Sequence, residues 1–188
     1  MGKLRTSIAL ALMTLLLSAC SACRKQTSSK ANSSATANKP LPNTPPASAH
    51  GWTLANNQRM TLANYQGKVV LLDFYATWCE PCRAETPHLV RLQKQYADQG
   101  LQIIGLNVGG EDDRAEVPAY AKEFGVQYPM GFPEDEFAED YLSDNQSIPQ
   151  TFVFDRSGKL VRRFVGYSED SGTEIESVIK SSLASGSP

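Results

Sequence analysis

The stretch FYATWCEPCRAETP, residues Phe74–Pro87, decides the fold of this 188-residue chain. It places Cys79 and Cys82 three residues apart, directly after the apolar run Lys68–Ala76 and directly before a segment with helical character. A cysteine pair with this spacing serves as a structural disulfide, as part of a metal site or as a reactive dithiol. The remainder of the chain has to distinguish these three interpretations.

The first two interpretations explain the pair poorly. Because the chain entropy removed by a disulfide grows with the length of the closed loop, a bridge between Cys79 and Cys82 stabilises the fold little. Zinc needs about four protein ligands, or three and a water, and from His50 onward the sequence offers only these two cysteines, His50 and His88. On a helix His88 would lie about 120° around the axis from Cys82. No metal site is predicted.

A reactive dithiol has a physical mechanism at this position. Cys79 is predicted to lie at the N-terminus of a helix, where free backbone N–H groups and the positive end of the dipole stabilise a thiolate. Cys82, one turn later, can then resolve a mixed disulfide. Pro81 restricts the turn between them, while the negative charge of Glu80 opposes thiolate formation. We therefore expect a moderately lowered Cys79 pKa and a reducing character.

Hydrophobic patterning predicts an α/β domain over residues 50–188, with a central mixed β-sheet, helices on both faces and an N-terminal β-hairpin extension that begins at GWTL. The predicted strands and helices are strand Lys68–Ala76, helix Glu80–Gln99, strand Leu101–Val108, a helix over EVPAYAKEFG ending at Gly125, a short acidic helix over Glu134–Tyr141, a hairpin within TFVFDRSGKLVRRFVG and helix Ser171–Leu183.

The N-terminal region has the pattern of an exported lipoprotein. Lys3 and Arg5 precede the ten-residue apolar run Ile8–Leu17, which is too short for a transmembrane helix. The following LSAC resembles a bacterial lipobox, so residues 1–19 are predicted to be a lipoprotein signal peptide and Cys20 the lipidated residue. Residues 20–49, rich in Ser, Ala, Asn, Thr and Pro, are predicted to form a disordered, lipid-anchored linker.

Composition and targeting limit the partners of the domain. The formal net charge is −2 and no basic cluster occurs, which argues against nucleic acid binding. The signal peptide and lipid anchor predict a cell-envelope location, with the catalytic domain extracytoplasmic, in the periplasm, and close to a membrane.

At WCEPC the sequence resembles the thioredoxin superfamily and, within it, the exported TlpA/ResA-type thiol-disulfide oxidoreductases. The resemblance extends over most of residues 51–183. It includes GWTL, the approach NYQGKVVLLDFYATW and IPQTFVFDRSGKL at Ile148–Leu160. It implies a thioredoxin-like fold in which Cys79 attacks, Cys82 resolves, and Trp78, Glu80 and Pro81 contribute to substrate binding.

The resemblance also implies a second wall of the site and an acid beneath it. Pro149 corresponds to a cis-proline facing the disulfide, and Ile148 offers backbone groups to an extended peptide. Asp73 stands where thioredoxins carry a buried acid and, because an isolated buried carboxylate is costly, it is predicted to accept the proton of Cys82. ResA-like proteins have a further glutamate after a strand matching LNVG; here Gly110 stands at that point and Glu111 follows.

These observations predict an enzyme, a protein disulfide reductase whose redox-active disulfide, Cys79 to Cys82, makes a further cofactor unnecessary. Its expected partners are disulfide-containing exported proteins, with apocytochrome c as one candidate, and a membrane thiol carrier that donates electrons. A thiol peroxidase is one alternative, although Ala76-Thr77-Trp78-Cys79 departs from the Pro-x-x-x-Thr-x-x-Cys setting of that class. A non-catalytic peptide-binding module is the other.

Overall fold

The computed structural model of the chain describes residues 50–185. The predicted signal peptide, Cys20 and the linker 20–49 lie outside the described residues and stay predictions. Within the described residues, no helix is both long enough and apolar enough to cross a bilayer.

The described part of the chain contains seven strands and five α-helices. The strands are β1 (Trp52–Leu54), β2 (Arg59–Met60), β3 (Val69–Tyr75), β4 (Leu101–Asn107), β5 (Met130–Pro133), β6 (Gln150–Phe154) and β7 (Leu160–Val165). The α-helices are α1 (Glu80–Tyr96), α2 (Glu111–Arg114), α3 (Val117–Phe124), α4 (Asp135–Leu142) and α5 (Glu169–Ala184). Single 3₁₀ turns cover Leu62–Tyr65 and Ala97–Gln99.

The strands form one mixed sheet in the order β2-β1-β5-β4-β3-β6-β7. Near its middle, β3 pairs in parallel with β4 and antiparallel with β6. β4 pairs in parallel with β5, while β1 pairs antiparallel with both β5 and β2. The predicted mixed sheet is confirmed.

Alternation along β3 divides the core into two layers, since successive side chains of a strand point to opposite faces. Leu71 and Tyr75 pack in the layer covered by α1, α3 and α5, and Leu72 and Phe74 pack in the layer covered by α4. Burial on both faces explains why β3 reads as a continuous apolar run. Asp73 interrupts that run, and its position in the alternation turns it toward the α1 layer.

Helix α1 follows β3 after a short loop and carries the cysteine pair at its start. Cys79 is the N-cap residue, in extended conformation, and Pro81 lies in the first turn, where a missing N–H does no harm. The helix ends at Tyr96 instead of the predicted Gln99, and residues 97–99 tighten into a 3₁₀ turn. Gly100, with a φ of 99°, ends the turn in the left-handed conformation.

Patterning does not predict β5 or α2. β5 is four residues long and contains Gly131, where a side chain would bring a Cβ to 2.6 Å from the Thr53 carbonyl oxygen of β1. α2 is a single turn in an acidic run after Gly110. Both elements are stabilised by contacts with distant parts of the chain, which local periodicity does not report.

Candidate active site

The two cysteines of the WCEPC stretch are joined by a disulfide at the N-terminus of α1. Cys79 is 5 % exposed and Cys82 is 1 % exposed. Both cysteines are buried, and Cys79 keeps the larger exposed surface of the two. This asymmetry fits an attacking role for Cys79 and a resolving role for Cys82.

The sulfur of Cys79 is placed to be stabilised as an anion. The backbone N–H of Cys82 donates a hydrogen bond to Cys79 Sγ at 3.3 Å, so the sulfur itself caps the helix. In the reduced protein, a thiolate at this position gains from the same N–H and from the positive end of the helix dipole. Glu80 is exposed beside it, so solvent screens its opposing charge.

Ile148 lies next to the disulfide, 69 residues after Cys79 in the sequence, and Pro149 follows it directly. The Ile148–Pro149 peptide is cis, and the Ile148 carbonyl oxygen lies 3.8 Å from Cys79 Sγ. Pro149 is buried and its carbonyl oxygen accepts a hydrogen bond from the Gly166 N–H at 2.8 Å. The backbone of Ile148 is thus fixed next to the sulfur that a substrate would approach.

The loop before Pro149 is held by the side chain of Gln150, which is fully buried. Gln150 Nε2 donates to the carbonyl oxygens of Asn145, at 2.6 Å, and Ser147, at 2.8 Å. Its Oε1 accepts from Arg163 Nε at 2.8 Å. Every polar atom of the amide is therefore used to shape the loop that presents Ile148.

The remaining predicted substrate contacts surround Cys79 at the surface. Trp78 is 68 % exposed, an unusual state for a large apolar side chain, and Glu80 and Pro81 are exposed as well. Exposed aromatic side chains are typical contact residues of protein interfaces. The structure brings these three residues together with Ile148 around the sulfur; their roles in binding stay predictions.

Thr77, two residues before the attacking cysteine, is held by hydrogen bonds to the side chains of Asp113 and Arg83. Asp113 accepts hydrogen bonds from the Thr77 N–H at 2.9 Å and from its hydroxyl, and a third from Asn107 Nδ2 at 2.6 Å. Arg83 donates to the Thr77 carbonyl oxygen at 3.2 Å. Burial raises the pKa of Asp113, but the three hydrogen bonds outweigh it and the net pKa is lowered. Asp113 therefore holds the active-site loop as an anion.

Two acids are buried behind the disulfide. Asp73 is 3 % exposed, and burial followed by the charge of Glu85 holds its pKa well above the usual range. Glu85 is 1 % exposed; burial raises its pKa to about 7, although a hydrogen bond from Thr151 Oγ1 at 2.8 Å works against that rise. Glu111, by contrast, has a side chain that is 88 % exposed and pairs with Arg114 at 3.3 Å. The second acid of this site is Glu85.

Sequence reasoning missed Glu85, Asp113 and Gln150. Glu85 could have been found, since it follows Cys82 by three residues on the same helix and must share its face. Asp113 stands in the run Glu111-Asp112-Asp113, where nothing local distinguishes the buried acid from its exposed neighbours. Among residues 50–185, no group of three or more His, Cys, Asp or Glu side chains is arranged to hold a metal ion.

A helix-capping disulfide next to a cis Ile148–Pro149 peptide defines a thioredoxin-like thiol-disulfide site, and the comparisons with known proteins agree. The AhpC/TSA family profile matches residues 45–163. The chain therefore belongs to the AhpC/TSA family, within the thioredoxin-like proteins.

The most similar characterised relatives include thiol-disulfide oxidoreductases named ResA. The protein from Bacillus subtilis (strain 168) is 34 % identical over 116 residues, which cover 62 % of this chain and 63 % of the relative. The one from Geobacillus thermodenitrificans (strain NG80-2) is 33 % identical over 120 residues, which cover 62 % of this chain and 67 % of that relative. The chain thus spans a little under two thirds of the length of the Bacillus relative.

Comparison with solved structures identifies the same thioredoxin-like fold. A thiol:disulfide interchange protein of the thioredoxin family from Chlorobium tepidum TLS matches with a TM-score of 0.63 and 30 % identity, over 74 % of this chain and 96 % of that one. StoA from Bacillus subtilis matches with a TM-score of 0.57 and 18 % identity, over 71 % and 98 %. The predicted ResA-type resemblance and the thioredoxin-like fold class are confirmed.

Proposed function

We propose that this protein is a membrane-tethered, extracytoplasmic thiol-disulfide oxidoreductase that reduces disulfides in exported proteins. One observation carries the proposal: the Cys79–Cys82 disulfide caps α1 with the Ile148 carbonyl oxygen 3.8 Å from Cys79 Sγ. A substrate chain that lies along Ile148 as an extended strand would place its own disulfide against the attacking sulfur.

The chemistry runs in two exchanges. In the reduced protein the Cys79 thiolate attacks a substrate disulfide, forms a mixed disulfide and releases one substrate thiolate, which takes up a proton. Cys82 then loses its proton and attacks Cys79 Sγ, which releases the second substrate thiol and leaves the Cys79–Cys82 disulfide. Two electrons have passed to the substrate, and a dithiol carrier must return two for the next cycle.

The reducing direction is supported by the balance of charges around Cys79. The helix N-terminus and the Cys82 N–H favour the thiolate, whereas Glu80 beside it opposes the same charge. A strongly oxidising dithiol needs a much more stabilised thiolate. This site has two favourable contributions, the helix N-terminus and the Cys82 N–H, and one opposing charge that solvent screens, which suits a reductant.

The location and the partners rest on the N-terminal sequence and on the resemblance. LSAC after a short apolar run supports lipidation at Cys20, and the linker that follows keeps the domain near the membrane. A membrane thiol carrier is then the natural electron donor, and apocytochrome c is a candidate among the exported substrates.

The test is to trap substrates with the full-length protein. A Cys82→Ser variant cannot resolve its mixed disulfides, so it should accumulate covalent complexes through Cys79, and mass spectrometry should identify exported cysteine proteins in them. A Cys79→Ser variant is the matched control and should trap far less. Equal trapping by both variants would reverse or remove the assigned roles.

Two further measurements address the alternatives. A thiol peroxidase would consume hydrogen peroxide in the presence of a dithiol donor, and we expect no consumption above that of the Cys79→Ser variant. A non-catalytic binding module would complement a deletion strain without either cysteine. We expect the variant lacking both cysteines to fail in that complementation.

A further inference from the structure

A positive charge is held at the turn that leads into Cys79. The turn runs from Ala76 to Cys79, and the Cys79 N–H donates to the Ala76 carbonyl oxygen at 3.3 Å. Arg83 donates to the Thr77 carbonyl oxygen at 3.2 Å. Long side chains on a helix lean back toward its N-terminus, so a residue one turn into α1 can place its guanidinium there. The charge of Arg83 therefore lies at a peptide group two residues before the attacking cysteine.

The spacing of the two residues puts them on one face of α1. Cys79 is the N-cap, and Arg83 follows it by four residues, with its own N–H bonded to the Cys79 carbonyl oxygen at 3.0 Å. Residues four apart along a helix lie on the same face. The guanidinium and the attacking sulfur thus share one end and one face of the helix.

Three side chains of α3 fix the position of the guanidinium. Arg83 Cζ lies 5.0 Å from the ring centre of Phe124 and 5.7 Å from that of Tyr120. The same guanidinium forms an ion pair with Glu123. A long side chain with so many contacts loses the rotamer freedom that an unrestrained arginine keeps. The charge is therefore held in one place relative to Cys79.

The ion pair itself contributes little to stability. The side chains of Arg83 and Glu123 are 32 % and 52 % exposed, and exposed ion pairs are weak. A neighbouring thiol responds differently, because a fixed cation favours its charged form over its neutral form. Glu123 reduces this effect, since it partly neutralises the guanidinium.

The elements that build the site carry further charged and titratable groups. These are Glu80, Cys82 and Glu85 on α1, Asp73 on β3, Asp113 on α2, and Tyr120 and Glu123 on α3. Every carboxyl group among them opposes a thiolate when it is ionised. Asp113 even binds the same Thr77 that Arg83 contacts. Arg83 supplies a positive charge that acts against these acids.

We propose that Arg83 is a positioning residue that sets the reduction potential of the Cys79–Cys82 disulfide, and that Glu123 limits its effect. The inference rests on the proposed function and deepens it, since it assigns the residues that adjust the driving force of the exchange. The helix N-terminus and the Cys82 N–H already favour the thiolate, and Arg83 adds a third contribution.

The balance of the reaction with glutathione shows how the charge acts. Two glutathione thiols pass two electrons to the Cys79–Cys82 disulfide and are joined as oxidised glutathione. In mild alkali the other products are the Cys79 thiolate, the Cys82 thiol and one proton released to the solvent. A cation that stabilises the thiolate draws this equilibrium toward the reduced protein, which makes the protein a weaker reductant.

The test measures this equilibrium constant for the full-length protein at pH 8 and pH 5.5, with the redox state of Cys79 and Cys82 determined by alkylation and mass spectrometry. Arg83→Met keeps the apolar stem and removes the charge. It should lower the constant about three- to tenfold at pH 8, and tenfold corresponds to about 30 mV. At pH 5.5, where Cys79 is protonated, the difference should disappear. An unchanged constant at pH 8, or an equal change at both pH values, would overturn the proposal.

Three more variants separate charge from structure. Arg83→Lys keeps the positive charge and should stay within about twofold of wild type. Glu123→Gln changes an exposed side chain and should raise the constant about two- to threefold, opposite to Arg83→Met. Lys94→Met is the matched control, since it removes a cation about 22 Å along the same helix, beyond the range of screened charges. The proposal fails if Glu123→Gln shifts the constant in the same direction as Arg83→Met, or if Arg83→Lys behaves like Arg83→Met.

Exchange with glutathione needs no protein substrate, so the two proposals fail separately. A wild-type protein that exchanges with glutathione but reduces no disulfide peptide would refute the proposed function. The comparison of the Arg83 and Glu123 variants would still decide the role of Arg83. If Arg83→Met folds poorly in urea unfolding, the direction of the Glu123→Gln shift decides it alone.

Discussion

Replacing Glu85 by glutamine should make the oxidised protein more stable above neutral pH and leave it unchanged in mild acid. The carboxyl group is 1 % exposed, and burial raises its pKa from 4.5 to about 7. Glutamine has nearly the same shape and retains an oxygen that can accept the hydrogen bond from Thr151. The substitution therefore removes the ionisation and little else.

The sign and size follow from proton linkage. Between pH 4.5 and about 7 the folded protein holds the Glu85 proton more tightly than the unfolded chain does, so the free energy of unfolding falls as the pH rises. Each pKa unit corresponds to about 1.4 kcal/mol, so the full loss is about 3 kcal/mol. The stabilising contribution is complete below pH 4.5 and gone above about pH 7. Glu85→Gln avoids this loss.

Urea unfolding of the oxidised proteins at intervals from pH 4 to 8 measures the effect, with the disulfide closed so that neither cysteine titrates. Glu139→Gln, which changes an exposed glutamate on α4, is the matched control and should follow the wild-type curve. The reasoning is refuted if Glu85→Gln keeps the wild-type slope. A variant that is less stable than wild type at pH 8 would show that Glu85 is stabilised as an anion.

The other predictions concern the loops and the anchor. Asp113→Ala leaves the partly buried Thr77 N–H without its acceptor and should cost about 1–3 kcal/mol in urea unfolding, whereas Asp112→Ala, at an exposed neighbouring position, should cost almost nothing. Gln150→Ala should release the loop before Pro149 and raise KM for a disulfide peptide several-fold with the reduction potential unchanged; a changed potential with constant KM would contradict this. Cys20→Ser should move the protein from the membrane to the soluble fraction, and continued membrane association would contradict lipidation.

Local sequence predicts the centre of this fold well, and its periphery poorly. β3 and α1 are long elements that can be recognised from their own residues. β3 is a continuous apolar run because it is buried on both faces, and α1 begins at an N-cap and is followed by a turn that ends at Gly100. β5 depends on pairing with β1 across more than 70 residues, and its Gly131 is required by the approach of that strand. Such a contact leaves no periodic signal in four residues.

The same distinction applies to the site. Cys79, Pro81 and Cys82 occupy one helical turn, so their geometry follows from helix capping alone. Asp73 was recognisable because a carboxylate is conspicuous in an apolar strand, whereas Glu85 is one of several charged residues on a largely polar helix. Asp113 and Gln150 act through hydrogen bonds to loops elsewhere in the fold, and their burial is decided by tertiary structure.

The two acids also explain why stability and reactivity should separate in this domain. Leu71 and Tyr75, the neighbours of Asp73 on the same face of β3, show that the layer could be filled with apolar side chains. The opposite layer contains a cluster of aromatic side chains around Phe74 and Tyr141, and none of its members among residues 50–185 is a buried acid. That layer can keep the sheet folded while the α1 layer holds carboxyl groups that destabilise it at neutral pH. A site that serves only structure gains nothing from such groups. The burial of Glu85 one helical turn after Cys82, and of Asp73 on the β3 face that packs in the same layer, therefore argues for proton transfer, and amide variants should raise stability while they slow resolution.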